Sequence, residues 1–215
     1  MEIKSLNVLG ISEPTLTMLQ DNLESKNMFP VLYIVNNLKK IDFLPYVNPL
    51  FNIHIKSHID ELDASNPYFL GVNKPNNKIT VFNEMKISIE RYATVTNKNV
   101  AISSTTKLGI GVHINSMVSI AAFSFIDDFV SINRNSSIGH HSSIGKFTTV
   151  NPGVNVAGFV KIGIGCLIGM GVNIIDGVEI GANSIIGAGS LVTKDIPENV
   201  VAYGNPCKII RTNET

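Results

Sequence analysis

The segment VSINRNSSIGHHSSIGKFTTV, residues 130–150, has a hydrophobic period of six residues, and the same period extends from Ile102 to Val192. An α-helix repeats at about 3.6 residues and a strand at about 2, so neither element alone explains this period. A period of six is typical of a parallel β-helix built from hexapeptides. Every sixth residue is aliphatic, in an unbroken register: Ile102, Leu108, Ile114, Ile120, Ile126, Ile132, Ile138, Ile144, Val150, Val156, Ile162, Ile168, Ile174, Ile180, Ile186 and Val192.

The residues around each aliphatic position predict how one coil is built. Three hexapeptides make a triangular coil of eighteen residues, and coils of this kind wind left-handed. The aliphatic residue and the small residue two before it point inward, because side chains alternate along a strand. A glycine often follows the aliphatic residue, as at Gly139 and Gly145, and we expect it to turn the corner with a positive φ. A β-sandwich, the alternative, would not keep one register over so many repeats.

The composition favours a cytoplasmic protein that associates with itself. The 215 residues allow one large or two small domains. The 17 basic and 17 acidic residues cancel, so no net charge attracts the chain to nucleic acid or to an anionic membrane. Only 16% of the residues are charged and 44% are hydrophobic, which predicts apolar outer faces buried between copies. We find neither a run of about twenty apolar residues nor a signal-peptide core in the first residues, MEIKSLNVLG.

Residues 1–86 predict a small Rossmann-like α/β domain. Predicted strands at residues 5–9, 30–35 and 68–72 alternate with predicted helices at residues 12–26, 58–64 and 76–85. Ligands bind beyond the carboxyl ends of parallel strands, which makes the substrate-binding candidates Gly10, Ser12, Asn36, Asn37 and Asn73. We expect the β-helix over residues 87–193. Residues 194–215, with Pro197 and Pro206, are expected to cap its open end.

Three segments resemble bacterial sugar acetyltransferases of the left-handed β-helix superfamily. They are NRNSSIGHH at residues 133–141, AGFVKIG at 157–163 and GNPCK at 204–208. The resemblance covers nearly the whole chain. It is strongest to sialic acid O-acetyltransferases and to N-acetyltransferases of nucleotide-linked 4-amino-4,6-dideoxy sugars. It implies a homotrimer, acetyl-CoA bound between neighbouring β-helices, and a role in bacterial surface-glycan biosynthesis such as that of lipopolysaccharide or O-antigen.

The same resemblance implies the residues of the site. His140 is expected to be the catalytic base, a role that suits an imidazole near neutral pH, with Asn133 and His141 in the catalytic set. Eighteen-residue steps from His140 reach Gly158, Asp176 and Lys194. We expect these residues in one column, with Lys194 roughly 14 Å from His140. The Gly158 N–H is expected to stabilise the oxyanion. The predicted acetyl-CoA-binding residues are Thr149, Gly158, Asp176, Lys194 and Lys208.

The chain departs from the family pattern at three places. His141 replaces the acidic residue that follows the catalytic histidine. Thr149 stands where many members have a second histidine. The sequence GISEP at residues 10–14 replaces the glycine-rich turn that faces the nucleotide phosphates.

We expect no metal site. His54, His58 and His113 have no ligand spacing, and adjacent His140 and His141 make a poor metal pair. Cys166 occupies an inward position, where it is expected to fill the core, and Cys207 is the second of two cysteines, too few for a disulfide framework.

The predicted function is transfer of acetyl from acetyl-CoA to the C-4 amine of a nucleotide-linked 4-amino-4,6-dideoxy sugar. Acetylation of a sugar hydroxyl, as on a sialic-acid-like sugar, would use the same residues and stays open. A catalytically silent, trimeric sugar-binding scaffold is the alternative from another class, because the phosphate turn and the acidic neighbour of the histidine are missing.

Overall fold

The computed structural model describes residues 3–10, 12–35 and 48–214, in which a small α/β domain packs on a long β-helix. The domain has a parallel four-stranded sheet in the order β3-β2-β1-β4. Its strands are β1 (Ser5–Leu9), β2 (Val31–Val35), β3 (Ile53–Lys56) and β4 (Tyr68–Leu70), and its helices are α1 (Glu13–Glu24) and α2 (Pro75–Met85). Because the strand order reverses beside β1, a ligand crevice is expected between the carboxyl ends of β1 and β4.

Residues 53–64 differ from the sequence prediction. The predicted helix over residues 58–64 is wrong, since the segment forms a single 3-10 turn at Ile59–Glu61. The Glu61 carboxylate accepts the N–H groups of Ser57 and His58, but Leu62 is already extended, so no helix follows. The stretch before it contains the strand β3, which the alternation of apolar and polar residues over Ile53–Lys56 could have indicated.

The β-helix has three sheets, with five, eight and six strands in the described residues. The eight-stranded sheet includes the two strands of a C-terminal hairpin, which pair antiparallel, and the other pairings of the three sheets are parallel. Successive strands on one sheet pair at an offset of eighteen residues, as Ile138 does with Val156. A second 3-10 turn at Ile89–Arg91 leads into it. Its strands are β5 (Val95–Thr96), β6 (Ala101–Ile102), β7 (Lys107–Leu108), β8 (His113–Ile114), β9 (Ser119–Ile120), β10 (Phe125–Ile126), β11 (Ser131–Ile132), β12 (Ser137–Ile138), β13 (Ser143–Ile144), β14 (Thr149–Val150), β15 (Asn155–Val156), β16 (Lys161–Ile162), β17 (Leu167–Ile168), β18 (Asn173–Ile174), β19 (Glu179–Ile180), β20 (Ile185–Ile186) and β21 (Leu191–Val192).

The aliphatic residues and the small residues two before them form the core of the β-helix, which confirms the inward pattern. Small polar residues at these positions are satisfied within the wall. The Ser142 hydroxyl, for example, donates to the carbonyl of Ala157 at 2.9 Å and accepts the N–H of Val160. Cys166 is fully buried in the core, as expected, and burial raises the pKa of its thiol to about 11.

The glycines that follow the aliphatic residues have another role than predicted. Positive φ occurs two residues later, at positions such as Gly111, Asn135 and His141. At Gly145 a Cβ would lie 2.7 Å from the backbone of the next coil, at Gly163. These glycines are therefore needed for the close approach of successive coils, and the turn itself is made by the left-handed residue that follows.

The C-terminal residues close the open end of the core. After Val192 the pairing offset falls from eighteen residues to sixteen, because Ile180 pairs with Ile162 on one side and with Ile196 on the other. Strand β22 (Val200–Gly204) pairs in parallel with β20, and β23 (Cys207–Thr212) folds back antiparallel to it. Buried Val200 and Ala202 extend the core into this hairpin.

A chain of buried asparagines joins the α/β domain to the β-helix. Asn22 of α1 donates to the side-chain oxygen of Asn115 at 3.0 Å and accepts from Asn97 at 3.1 Å. Asn115 in turn donates to the side-chain oxygen of Asn133 at 3.1 Å. Three of these asparagines lie on successive coils of the β-helix, so the helix α1 is fixed against three coils.

Lys78 of α2 makes a second contact between the α/β domain and the β-helix. Its ammonium group is fully buried and donates to the carbonyls of Phe129, Phe147 and Thr148 at a β-helix corner. The burial lowers the pKa of Lys78 from 10.5 to about 7. Nearby, burial first and then the charge of Lys78 lower the pKa of His113 to about 3. None of the described helices is long and apolar enough to cross a membrane.

Candidate active site

His140 lies on the surface at a corner of the β-helix, two residues after the inward Ile138. Its imidazole rests on the backbone of Gly158, one coil further along. A Cβ at residue 158 would lie 2.7 Å from His140 Cε1 and 3.0 Å from Nε2. Only glycine at residue 158 therefore leaves room for this ring position.

His140 contacts a second histidine and a phenylalanine, and the second histidine contacts a further phenylalanine. Nδ1 of His140 lies 3.1 Å from Nδ1 of His141, and the His140 ring meets Phe159 edge to face, at 5.1 Å between centroids. The His141 ring stacks on Phe159 at 4.9 Å and packs against Phe123 at 5.0 Å. Both phenylalanines are more than half exposed. We call these four residues the histidine cluster.

The phenylalanines of the histidine cluster were missed in the sequence analysis, although coil arithmetic could have found them. Phe123, His141 and Phe159 are separated by eighteen residues and occupy equivalent corner positions, each with a φ of 57° to 59°. Phe123, His141 and Phe159 form the column next to the one that contains His140 and Gly158.

The Gly158 N–H is already engaged, contrary to the expectation that it stabilises an oxyanion. It donates to the Asp176 carboxylate at 2.8 Å. Asp176 therefore holds the backbone on which the His140 ring rests. The structure thus brings His140, Gly158 and Asp176 into one column, as the eighteen-residue spacing predicts.

Lys194 lies where this column loses its register. The pairing offset is sixteen at Ile180–Ile196, so two residues are missing from the coil that contains Lys194. The side chain of Lys194 is exposed. In this coil the carboxylate of the neighbouring Asp195 accepts the backbone N–H of Glu179 at 2.8 Å. The eighteen-residue register still holds where Ile174 pairs with Val192, so the shortening lies between residues 192 and 196, and the predicted spacing of Lys194 from His140 stays a prediction.

Asn133 is not brought to the histidine cluster. It is 2% exposed, its amide donates to the carbonyl of Val150 at 3.0 Å, and its oxygen accepts from Asn115. Its side chain is one of the hydrogen-bonded asparagines that join the α/β domain to the β-helix. Asn133 and His140 thus lie on different sheets, although both belong to the same sequence motif.

Thr149 and Asn73 are joined to each other. The hydroxyl of Thr149 is fully buried and donates to the backbone carbonyl of Asn73 at 2.6 Å. Burial excludes Thr149 from contact with a cofactor in this structure, which corrects the sequence prediction. The contact attaches the carboxyl end of β4 to the β-helix.

The other N-terminal candidates lie at the crevice between β1 and β4. Gly10 has a φ of 77° and lies so close to Gly71 that a side chain at residue 71 would overlap the Gly10 carbonyl. Ser12 is the N-cap of α1 and makes no side-chain capping bond within the described residues. Asn36 and Asn37 lie outside the described residues.

The described residues line two concave regions that bear on the site. A cleft of about 160 Å³ begins at Lys74 and the first turn of α2 and is closed by Leu167, Ile185 and Asn213. An open groove of about 500 Å³ follows the outer face of the five-stranded sheet, lined by Lys161, Glu179 and Asp195. Lys208, the last predicted cofactor residue, is exposed on β23. Within residues 3–10, 12–35 and 48–214, no group of three His, Cys, Asp or Glu side chains could hold a metal ion.

Comparison with known proteins gives two local matches in sequence. Residues 159–194 match the family model described as bacterial transferase hexapeptide (six repeats). A segment of 23 residues is 78% identical to a Saccharomyces cerevisiae protein that is provisionally named an acetyltransferase. That match spans 11% of this chain and 12% of the yeast protein.

Solved structures match along nearly the whole chain. The acetyltransferase domain of PglB from Neisseria gonorrhoeae, in complex with acetyl coenzyme A, has a TM-score of 0.83 at 16% identity and covers 96% of this chain and 99% of its own. PerB from Caulobacter crescentus, in complex with CoA and GDP-perosamine, has a TM-score of 0.79 at 23% identity, over 97% and 98%. WeeI from Acinetobacter baumannii has a TM-score of 0.75 at 18% identity, over 96% and 99%.

These likenesses confirm the predicted architecture, an α/β N-terminal part followed by a left-handed β-helix. The chain therefore carries the bacterial-transferase hexapeptide repeat in residues 159–194 and has, over nearly its full length, the fold of the solved acetyltransferases PglB and PerB.

Proposed function

We propose that the protein is an acetyl-CoA-dependent N-acetyltransferase that acts on the C-4 amine of a nucleotide-linked 4-amino-4,6-dideoxy sugar. The observation that carries the proposal is the exposed imidazole of His140, held on Gly158 at a corner of a β-helix. PglB was crystallised with acetyl coenzyme A, and PerB with CoA and GDP-perosamine, which is a nucleotide-linked amino sugar. The shared fold supports carrying this chemistry to the present chain.

In the proposed reaction His140 is the general base. The neutral amine attacks the thioester carbonyl carbon, a C–N bond forms, and the C–S bond breaks. His140 accepts the amine proton at Nε2 and returns a proton to the departing thiolate, so no acyl-enzyme is formed. Asp176 contributes indirectly, because it holds the N–H of Gly158 and with it the surface under the imidazole.

We place the nucleotide at the crevice between β1 and β4, in a domain formed by residues 1–86. Ser12 begins α1 there, and its hydroxyl is not used as a helix cap within the described residues. Lys74 and the first turn of α2, which follow β4 in the chain, border the 160 Å³ cleft. A helix N-terminus with a nearby cation favours the phosphates of a nucleotide.

The proposal includes a homotrimer with acetyl-CoA between neighbouring β-helices, in a cytoplasmic enzyme of bacterial surface-glycan synthesis. The exposed phenylalanines of the histidine cluster support an interface at this corner, since large apolar side chains are seldom left in water in a group. Exposed Lys194 and Lys208, near the C-terminal hairpin, are the proposed partners of the CoA phosphates.

The test is a direct assay with acetyl-CoA and GDP-perosamine as acceptor, following CoA release and the mass of the sugar product. Transfer of one acetyl group to the C-4 nitrogen supports the proposal. Acetylation of a hydroxyl on a sialic-acid-like acceptor, with no transfer to the amine, would replace it by the O-acetyltransferase alternative. Binding of the sugar nucleotide without turnover would favour the silent scaffold.

A further inference from the structure

The histidine cluster contains a hydrogen bond between two like groups, which restricts where protons can lie. Nδ1 of His140 and Nδ1 of His141 are 3.1 Å apart. One nitrogen must carry the proton and the other must accept it, because two N–H groups would repel and two lone pairs would form no bond.

His141 has little freedom to leave this bond. The backbone N–H of His141 donates to the carbonyl of Ala122 at 3.0 Å. The imidazole ring of His141 is packed between Phe123 and Phe159 of the adjacent coils. Each of these three residues has the same left-handed backbone conformation. The ring plane of His141 is therefore set by the two coils on either side, and its contact with His140 directs Nδ1 to that side of the ring.

We infer that His141 is a positioning residue, which accepts the Nδ1–H of His140 and so keeps the Nε2 lone pair of His140 free for the acceptor amine. This inference rests on the proposed function, because the role of His140 as a base at Nε2 decides which of the two Nδ1 atoms carries the proton. When His140 takes up a proton, the same Nδ1–H···Nδ1 bond persists, so the charged form is held in the same place.

The chain offers a matched variant. His141→Phe places at residue 141 the residue that already occupies the equivalent positions 123 and 159, in the same backbone conformation. Packing and backbone are retained, and only the Nδ1 acceptor is lost. His141→Asn returns an acceptor oxygen and suits a positive φ, so it serves as the rescuing variant.

The experiment records ¹⁵N spectra of the histidine rings of the ligand-free protein at neutral pH, with His140→Ala to assign the His140 signals. We expect His140 to be protonated at Nδ1 in the wild type and in His141→Asn, and to shift to the Nε2–H tautomer in His141→Phe. In the acetyl-transfer assay, kcat of His141→Phe should fall about 10- to 100-fold with little change in KM, and His141→Asn should recover most of it.

A wild-type spectrum with His140 protonated at Nε2 overturns the inference, whatever the enzyme turns over. Unchanged kcat in His141→Phe also overturns it. If the expected tautomers are found but no amine is acetylated, the positioning role stands and only the proposed function fails. The spectra need neither acetyl-CoA nor sugar, so the two failures are distinguished.

Discussion

The imidazole of His140 lies against the backbone of Gly158, in the space that a side chain at residue 158 would occupy. The φ of Gly158 is not in the left-handed region, so alanine fits the backbone at this position. The nearest obstacle to its methyl group is the His140 ring. The position of the His140 ring, and not the backbone conformation of the turn, therefore requires glycine at residue 158.

Gly158→Ala should therefore displace the imidazole and leave the fold intact. We expect kcat for acetyl transfer to fall about 10²-fold, the loss associated with a misplacement of about 1 Å. The melting temperature should change little. Gly177→Asn is the control, since residue 177 is at the same corner with a φ of 72° and has no neighbour within 4 Å. Full activity of Gly158→Ala would mean that the ring position is not important.

His140→Ala removes the proposed base. We expect kcat to fall about 10²- to 10⁴-fold, the range for general-base catalysis, while acetyl-CoA still raises the melting temperature. Steady-state kinetics and thermal-shift measurements check the two parts separately. Loss of acetyl-CoA binding together with activity would instead make His140 a binding residue.

Thr149→Val tests whether Thr149 belongs to the structure or to the cofactor site. The change keeps the side-chain shape but leaves the carbonyl of Asn73 without its hydrogen bond. We expect the free energy of unfolding in urea to fall by about 1–3 kcal/mol, with the KM for acetyl-CoA unchanged. A raised KM at unchanged stability would return Thr149 to the cofactor site.

Lys78 should make stability depend on pH. Its pKa in the folded protein, about 7, lies below the ordinary value of 10.5, so between these values the unfolded chain binds more protons and stability rises with pH. Cys166 has the opposite effect above its ordinary value of 9.0, so we compare urea midpoints between pH 7 and 9. The wild-type midpoint should rise over this range, and the rise should be smaller in Lys78→Met. Equal slopes for both proteins would contradict the buried ammonium.

His113 should make the protein sensitive to acid. Its pKa is lowered from 6.5 to about 3, chiefly by burial, so stability is lost as the pH falls from 6.5 towards 3. His113→Phe keeps a ring against Phe69, whose centroid is 5.0 Å from the imidazole, and removes the titrating group. Urea midpoints at pH 7 and 5 should differ less for the variant than for the wild type. A larger difference in the variant would exclude this origin of the acid sensitivity.

The β-helix could be predicted closely from the sequence because its core depends on one local rule repeated every six residues. The column of His140, Gly158 and Asp176 followed from the same rule. The rule no longer holds between Val192 and Ile196, where the coil is two residues shorter. Sequence periodicity does not report such a change once the aliphatic pattern has ended.

The contacts between the two parts could not be predicted from the sequence. Asn133 and Thr149 stand in motif positions, but their burial depends on which sheet the α/β domain covers, and no local pattern encodes that choice. Lys78 looks like an ordinary helix residue, and only the corner carbonyls around Phe129 and Phe147 explain its burial.

A β-helix strand such as β14 pairs with the strands eighteen residues before and after it, so ordered coils can form anywhere in the repeat and spread along the axis. The α/β domain is in a different position during synthesis. It leaves the ribosome first, yet the partners of its Asn22 and Lys78 lie between residues 97 and 148. Until those coils emerge, Lys78 and Asn22 stay in contact with water, although both are buried in the folded protein. The domain therefore reaches its final stability only when the ribosome has delivered the surface on which it docks.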